Sequence, residues 1–438
     1  MSTLDQIGLN ARTTVNWALG HGLPGLIIRR AKSRGDLQAK LIESSMGGNQ
    51  GVLEVIEEIR AQGPLYRGHI GLVATSHAAV REVLTSEDFR SGFPGTEGPI
   101  AKVALWSAPR TVHPVEPLSL LVTEPPDHTR YRKLVTRVFT VRAVQRLSDR
   151  TQQIADRLLD DLEARGGNEV DLVEDYCSLL PVTVIAEILG VPESERARVL
   201  EFGAAAAPSL DLGLGFRQHR EVRAALQDFD DWLTQHLDDL RRHPQDNLLS
   251  QLVAVRDEEG GLDERELKAT AGLVLAAGFE TTVNLLSNGI RLLHDNPDQR
   301  AILAADESLW ANAAEETLRV DPPVLLTGRT ALRDTTVAGV PVRGGTMVTA
   351  VLAGANRDPE VFADPARFDV TRSNARDHIS FSAGRHHCLG AALARMEGEI
   401  GLRSIWQRFP DLQVLGGERR TTRILRGWET QPTVPTPR

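Results

Sequence analysis

The sequence predicts a mainly α-helical fold with small β-sheets, and three observations carry that prediction. Apolar residues recur at the three-to-four spacing of an amphipathic helix along most of the chain. Strand-like alternation of Val and Thr with turn residues appears chiefly between Arg329 and Ala350 and, loosely, in the tail. No Pro-, Gly- or Ser-rich linker and no repeat of fixed period divides the 438 residues. The expected organisation is an N-terminal arm over residues 1–50 and one large catalytic domain over 51–438.

The elements follow in order. Gly51 to Gln62 reads as a helix, His69 to Ala74 as a short strand, and Ser76 to Thr85 as a helix opened by a serine cap. Arg90 to Asp127 is rich in Pro and Gly and lacks periodicity, the mark of a long functional loop. Helices are expected over His128 to Thr140, Val141 to Ala164, Val170 to Leu189, Glu193 to Ala206 and Gln218 to Arg242. The longest pattern runs from Asp263 to His294, with Asp263 and Glu266 spaced as a capping box and Pro297 beyond its end. Another helix ends near Val320, and one is expected from Cys388 to Phe409.

Composition excludes several classes. The chain is 41% hydrophobic and 25% charged, as soluble globular proteins are, and its net charge of -9 argues against a nucleic-acid binder. Two cysteines, Cys177 and Cys388, cannot staple a chain of this size, which fits a reducing cytoplasm. The N-terminus lacks the charged start and continuous apolar core of a signal peptide. The run Val15 to Ile28 is too short and broken to span a bilayer. With the basic RRAKSR after it, this run reads as a packed arm, an interfacial anchor being the alternative.

The most informative stretch is FSAGRHHCLG, Phe381 to Gly390. His386 and His387 beside Cys388 suggest zinc, but adjacent residues rarely face one ion and no second ligand pair completes a tetrahedron. A nucleophilic cysteine would need a histidine base, and no cysteine-hydrolase signature is present. The spacing F-x-x-G-x-x-x-C-x-G suits a loop that presents a thiolate to a flat cofactor. Gly384 permits a tight turn, and Gly390 lets a helix begin close to a ring. Backbone N–H groups at that helix start can steady the sulfur's charge.

The stretch resembles the haem-binding loop of the cytochrome P-450 superfamily, with Ser382 where many members carry glycine. The resemblance runs from about Gly51 to the C-terminus and implies the P-450 fold. It makes Cys388 the axial ligand of the iron of haem b and gives Phe381 and Gly384 their places in the loop. His386, together with His128 and Arg132 of HTRYR and Arg329 of TGRTALRD, matches positions that hold the haem propionates. AAGFETT, in the middle of the longest helix, matches the family's oxygen-activation site, where Glu280 and Thr281 relay protons beside a locally opened turn. Gly278 there costs roughly 1 kcal/mol relative to alanine and so needs a reason. Glu316 and Arg319 of ETLR, with Arg367 of DPARFD, match the family's buried Glu–Arg–Arg cluster, a structural element.

These assignments imply a soluble bacterial-type haem-thiolate monooxygenase that inserts one atom of O2 into an apolar small molecule. Electrons are expected from NAD(P)H through a ferredoxin reductase and ferredoxin, met by Arg385, Arg395 and Arg403. The expected pocket comprises Trp106, Leu273, Ala277, Val324, Leu326, Thr327 and Trp428. No nucleic acid and no transmembrane anchor are expected, and the location is cytoplasmic. A peroxide-driven relative and a non-enzymatic haem sensor or carrier are the alternatives. The acid–alcohol pair counts against both.

Overall fold

The computed structural model describes residues 11–44, 51–92, 99–109, 111–116, 118–136, 141–245, 247–254 and 261–436. Its spine is the helix Glu264–Asp295. Asp263 accepts from the Glu266 amide at 2.8 Å, and Glu266 accepts from the Asp263 amide at 2.9 Å, so the expected capping box is formed. At about 1.5 Å per residue this helix is roughly 48 Å long. Among the described residues it alone is long and apolar enough to cross a membrane, but it lies largely buried inside the fold.

Among the helices that pack along it are Leu179–Leu189, Trp310–Val320 and Ala391–Arg408. The main apolar core fills the space between them, with Leu180, Ile185, Leu286, Ile290, Leu402 and Ile405 all buried. The helix Val141–Glu163 closes the far side against Ala391–Arg408.

The β-structure is small and sits to one side. A five-stranded sheet runs in the order Tyr66–Arg67, Leu72–Ala74, Met347–Ala350, Thr327–Ala331, Phe89–Ser91. Only the pairing of Leu72–Ala74 with Met347–Ala350 is parallel. Arg329 lies opposite Val348 on one side and Ser91 on the other, so its segment is pinned between two strands.

Several elements differ from the sequence expectation. The stretch Arg90 to Asp127 is not loop throughout: Phe89–Ser91 pairs into the sheet and Pro99–Ser107 is helical. Val170 to Leu189 opens as the strand Val170–Asp171 and a π-helical turn, Val173–Cys177, before the helix proper. Elements as short as Phe89–Ser91 and Val170–Asp171 span too few residues for periodicity to separate strand from helix. The helix predicted over His128 to Thr140 runs as Asp127–Thr136, and residues 137–140 lie outside the described ones. Of the arm, residues 1–10 and 45–50 lie outside as well.

Candidate functional site

The cysteine loop is held by its backbone. The Cys388 amide donates to the Phe381 carbonyl at 2.8 Å, closing the loop on itself. Gly384 has φ +68, and a Cβ there would stand 2.5 Å from the Leu84 carbonyl oxygen, so only glycine fits. Ser382 has φ +61, the left-handed conformation that glycine adopts at least cost, and its buried hydroxyl has no hydrogen-bond partner. The serine is therefore strained, which the sequence alone did not reveal.

The sulfur of Cys388 is reached by solvent yet lies deep among protein atoms, so it opens on the interior rather than on the outer surface. Burial pushes its thiol pKa up, while the Gly390 N–H and the charges of Arg132 and Arg395 act in the opposite sense. Cys177, by contrast, is fully buried in the apolar core, and burial raises its pKa.

Basic groups gather beside this loop. Arg132 donates to the His387 carbonyl at 2.7 Å. The His128 and His386 rings lie 4.5 Å apart, and His386 Nε2 meets Glu124 Oε1 at 3.0 Å. Arg385 donates to the other Glu124 oxygen at 2.9 Å. Burial alone would raise the Glu124 pKa, but the hydrogen bonds from His386 and the Ser91 amide and the charges of His386 and Arg385 prevail and hold it down to about 2. Sequence reading missed Glu124, since a lone acid in TEPPD carries no motif.

Three features of these residues suit a flat dianionic macrocycle. His128 is buried, and its Nε2 has no hydrogen-bond partner. Arg329 is buried and donates only to neutral oxygens, Thr327 Oγ1 and the Gly328 carbonyl; burial lowers its pKa to about 10. A Cβ at Gly390 would meet no protein atom within 4 Å, so protein packing does not demand glycine beside the cysteine. An unpaired ring nitrogen, a buried cation short of an anion and a bare helix start beside a thiol fit haem b.

The acid–alcohol pair lies mid-helix. Glu280 is buried and touches the Arg420 guanidinium at 2.5 Å without the alignment of a hydrogen bond. Burial raises the Glu280 pKa, Arg420 opposes this and Glu429 reinforces it. Thr281 Oγ1 donates to the Ala277 carbonyl at 3.0 Å. The expected local opening is absent: Glu264–Asp295 is continuous, and Thr282 also bonds back within it, to the Gly278 carbonyl at 3.3 Å. Gly278 has a packing reason, since a Cβ would come within 3.0 Å of Ile185. Sequence reading also missed Glu397, a buried acid near Thr282 whose carboxyl pKa burial raises far above the ordinary range.

The structural cluster is corrected at one position. Arg319 makes a two-pronged pair with Glu316, at 2.7 and 2.8 Å, with both side chains fully buried. The third member is Arg372, whose Nε donates to Glu316 Oε1 at 3.0 Å. Arg367 is exposed and supplies only its backbone carbonyl, to Arg319 and Arg372.

The pocket expectation fares less well. An apolar cavity lies between Phe202, Phe229, Val112, Gly272 and Leu273, with His113 as a polar member. Of the predicted residues only Leu273 lines it. Trp106 is half-exposed under Arg12, and Trp428 is buried with Arg419 4.1 Å over its ring. Val324 bridges to Leu425, Leu326 packs against the cluster around Leu325 and Val351, and Thr327 opens a strand of the sheet; neither they nor Ala277 reach that cavity. The three arginines expected to face a redox partner are engaged internally. Arg385 holds Glu124, Arg395 holds Glu315 at 2.8 Å, and Arg403 donates to Gln152 at 2.9 Å.

The cytochrome P450 family model matches residues 205–306 and 309–422. The protein named cytochrome P450 140 of Mycobacterium tuberculosis is 50% identical over 426 residues, 95% of this chain and 96% of its own. The chain belongs to the cytochrome P450 family. Vitamin D(3) 25-hydroxylase of Pseudonocardia autotrophica is 38% identical over 396 residues, 87% of this chain and 93% of its own. Among solved structures, P450BioI in complex with an acyl carrier protein bearing hexadec-9Z-enoic acid superimposes with a TM-score of 0.79 at 30% identity, covering 87% of this chain and 97% of that one. The fold is thus the P450 fold, and as a member of this family the chain is a haem-thiolate enzyme whose cofactor is haem b bound through a cysteine.

Proposed function

We propose that this cytochrome P450 hydroxylates or epoxidises an apolar small molecule in the cytoplasm, with electrons from NAD(P)H delivered by a ferredoxin and its reductase. The observation that carries the assignment of the site is Cys388: of the two cysteines, it alone is accessible, and it stands beside a bare helix start and a set of basic groups. Residues 51–438 then act as one catalytic domain behind the arm of residues 1–50.

Bound haem supplies the activation of dioxygen. The chain's part is to hold and protonate. Cys388 donates its thiolate, steadied by the Gly390 N–H and Arg132. His128 Nε2 and the Arg329 guanidinium would take the two cofactor carboxylates, with Arg132 beside them and His386 shared with Glu124. Thr281 commits its proton to Ala277 and so offers its lone pairs as acceptor, while burial raises the Glu280 pKa and so favours the protonated acid that a proton donor must be. The near-absence of polar groups in the cavity supports an apolar substrate. A vitamin D hydroxylase and a fatty-acyl-bound P450 among the relatives agree with that class.

The test is optical. The reduced, CO-bound protein is expected to absorb where thiolate-ligated haem does, and Cys388→Ser is expected to lose that band. A histidine-type spectrum, or no bound haem, overturns the reading. Turnover with peroxide but none with ferredoxin and reductase would make the enzyme a peroxygenase instead.

A further inference from the structure

The apolar cavity has one polar lining residue among the described ones. Val112, Leu226, Phe229, Leu273 and Ala276 offer it no polar side-chain atom, and His113 is the exception. Ala276 stands about one helical turn before Glu280, which ties the cavity to the acid–alcohol pair. The segment that carries His113 is fixed in place. The Val112 amide donates to Asp230 Oδ1 at 3.1 Å, and a Cβ on Gly272 would stand 3.5 Å from the Val112 side chain.

Beyond His113 the polar character continues. On the helix Phe216–Arg242, Leu226 and Phe229 line the cavity, and Arg223 and His219 extend the same face by one turn and then another. The His219 ring lies 5.0 Å from the ring of His21, which the N-terminal arm supplies. Three buried nitrogens here have no hydrogen-bond partner: His219 Nε2, His21 Nδ1 and Arg223 Nη1. Among the described residues Glu116 is the one acid whose charge acts on Arg223. Burial raises the Glu116 pKa to about 7 against the opposition of Arg223, so at neutral pH it answers the arginine's charge only in part.

The histidines add donors rather than charge. Burial lowers the pKa of His113 and of His219 to about 4, and the neighbouring basic groups act in the same sense. At neutral pH both rings are therefore uncharged. His113 Nδ1 accepts from the Val115 amide at 3.3 Å, which leaves the N–H on its Nε2. The cluster thus offers one lasting cation and neutral N–H donors at the end of an apolar cavity. A doubly charged head group would need a second cation, and a neutral one would leave the guanidinium unanswered. A carboxylate is singly charged and flat, and it matches one guanidinium fork. Among the described residues no three His, Cys, Asp or Glu side chains are grouped to hold a metal ion instead.

We propose that Arg223, with His113 and His219, forms the head-group site for a substrate that bears a carboxylate on an apolar body. The proposal rests on the reading of this cavity as the substrate cavity, and it narrows the substrate class from apolar molecules to apolar acids.

The ferric holoenzyme is titrated at neutral pH with dodecanoate, methyl dodecanoate and dodecanol, each followed by the haem spin-state spectrum and by calorimetry. The wild type is expected to bind dodecanoate about tenfold more tightly than either neutral probe. Arg223→Gln is expected to weaken dodecanoate by about tenfold to a hundredfold, the worth of a hydrogen bond to a charged group, and the neutral probes by less than about twofold. His113→Phe keeps a ring of similar bulk and is expected to weaken dodecanoate about fivefold. The CO-bound spectrum of the same samples separates two failures. A wild type without the thiolate band overturns the proposed reaction. An intact band with dodecanoate unbound, or bound no more tightly than the neutral probes, overturns the head-group site alone. Equal weakening of all three probes in Arg223→Gln overturns it too, since the arginine would then only shape the cavity. Should that variant fail to fold, Arg223→Lys keeps the charge without the fork, and the wild-type order of the three probes remains decisive.

Discussion

Arg372 Nε lies 3.0 Å from Glu316 Oε1 and completes a buried three-residue ion cluster. Its other donors hold the Ala363, Asp364 and Arg367 carbonyls, so one guanidinium ties the coil leading to the cysteine loop onto the helix Trp310–Val320. Removing one member of such a cluster leaves a buried charge and several carbonyls unpaired. Arg372→Ala is therefore expected to destabilise by about 3 kcal/mol and to lower haem retention. Arg367→Ala, at an exposed side chain, is expected to stay within about 0.5 kcal/mol of the parent. Urea unfolding followed by haem absorbance distinguishes the two, and equal costs would restore Arg367 to the cluster.

What was legible in the sequence was what depends on near neighbours. The capping box at Asp263 and Glu266, the Glu316–Arg319 pair and the cysteine turn are all set by spacings of a few residues, and each appears where the spacing puts it. Arg372 was missed because two arginines stand five apart in one coil, and only tertiary packing decides which turns inward. The pocket was misjudged for the same reason. Trp106 and Trp428 are apolar in sequence, but one lies on the surface and the other supports Arg419. Their surroundings are set by tertiary contacts such as Arg12 over Trp106 and Arg291 over Trp428, which no local pattern records.

Ser382 offers a gain. Its φ of +61 costs a residue with a Cβ roughly 1 kcal/mol, and its unpartnered hydroxyl adds no return. Ser382→Gly is expected to raise stability by up to about 0.5 kcal/mol, after the larger unfolded-state entropy of glycine is counted. Chemical unfolding of the two proteins under one condition measures it. A lower midpoint for the glycine variant would show that the serine makes a contact worth more than the strain.

The acid limb of stability is expected to contain a share from Asp321. This carboxylate is buried between Arg419, at 2.7 Å, and Arg426, at 2.5 Å. Burial alone would raise its pKa, but the charges of Arg426 and Arg419 prevail and lower it from an ordinary 3.8 to about 2. A folded pKa below the unfolded one gives stability that is present above about pH 4 and lost as pH falls towards 2. The share is about 2 kcal/mol. Asp321→Asn is expected to remove that part of the slope and, at neutral pH, to cost about 3 kcal/mol by leaving two arginines unpaired. Unfolding midpoints of both proteins across this range provide the check; parallel curves would exclude Asp321 as a contributor.

Thr281 is expected to govern how electrons are spent rather than how fast they arrive. Its hydroxyl proton is committed to the Ala277 carbonyl, so its lone pairs face away from the helix as an acceptor, and buried Glu280 next to it has a raised pKa set by burial. Thr281→Ala keeps the helix, since the lost bond is a back-bond that slightly disfavours helices in any case. Oxygen uptake should therefore persist while product falls and peroxide rises. Product per electron should drop about tenfold, below the full range of a general acid–base contribution because a water can take the hydroxyl's place. Glu280→Gln should instead slow turnover as a whole, since the amide cannot release a proton. Parallel measurement of oxygen consumed, peroxide formed and product made on one substrate separates the two effects. Unchanged coupling in Thr281→Ala would remove the threonine from proton delivery and leave Glu280 to act through another group.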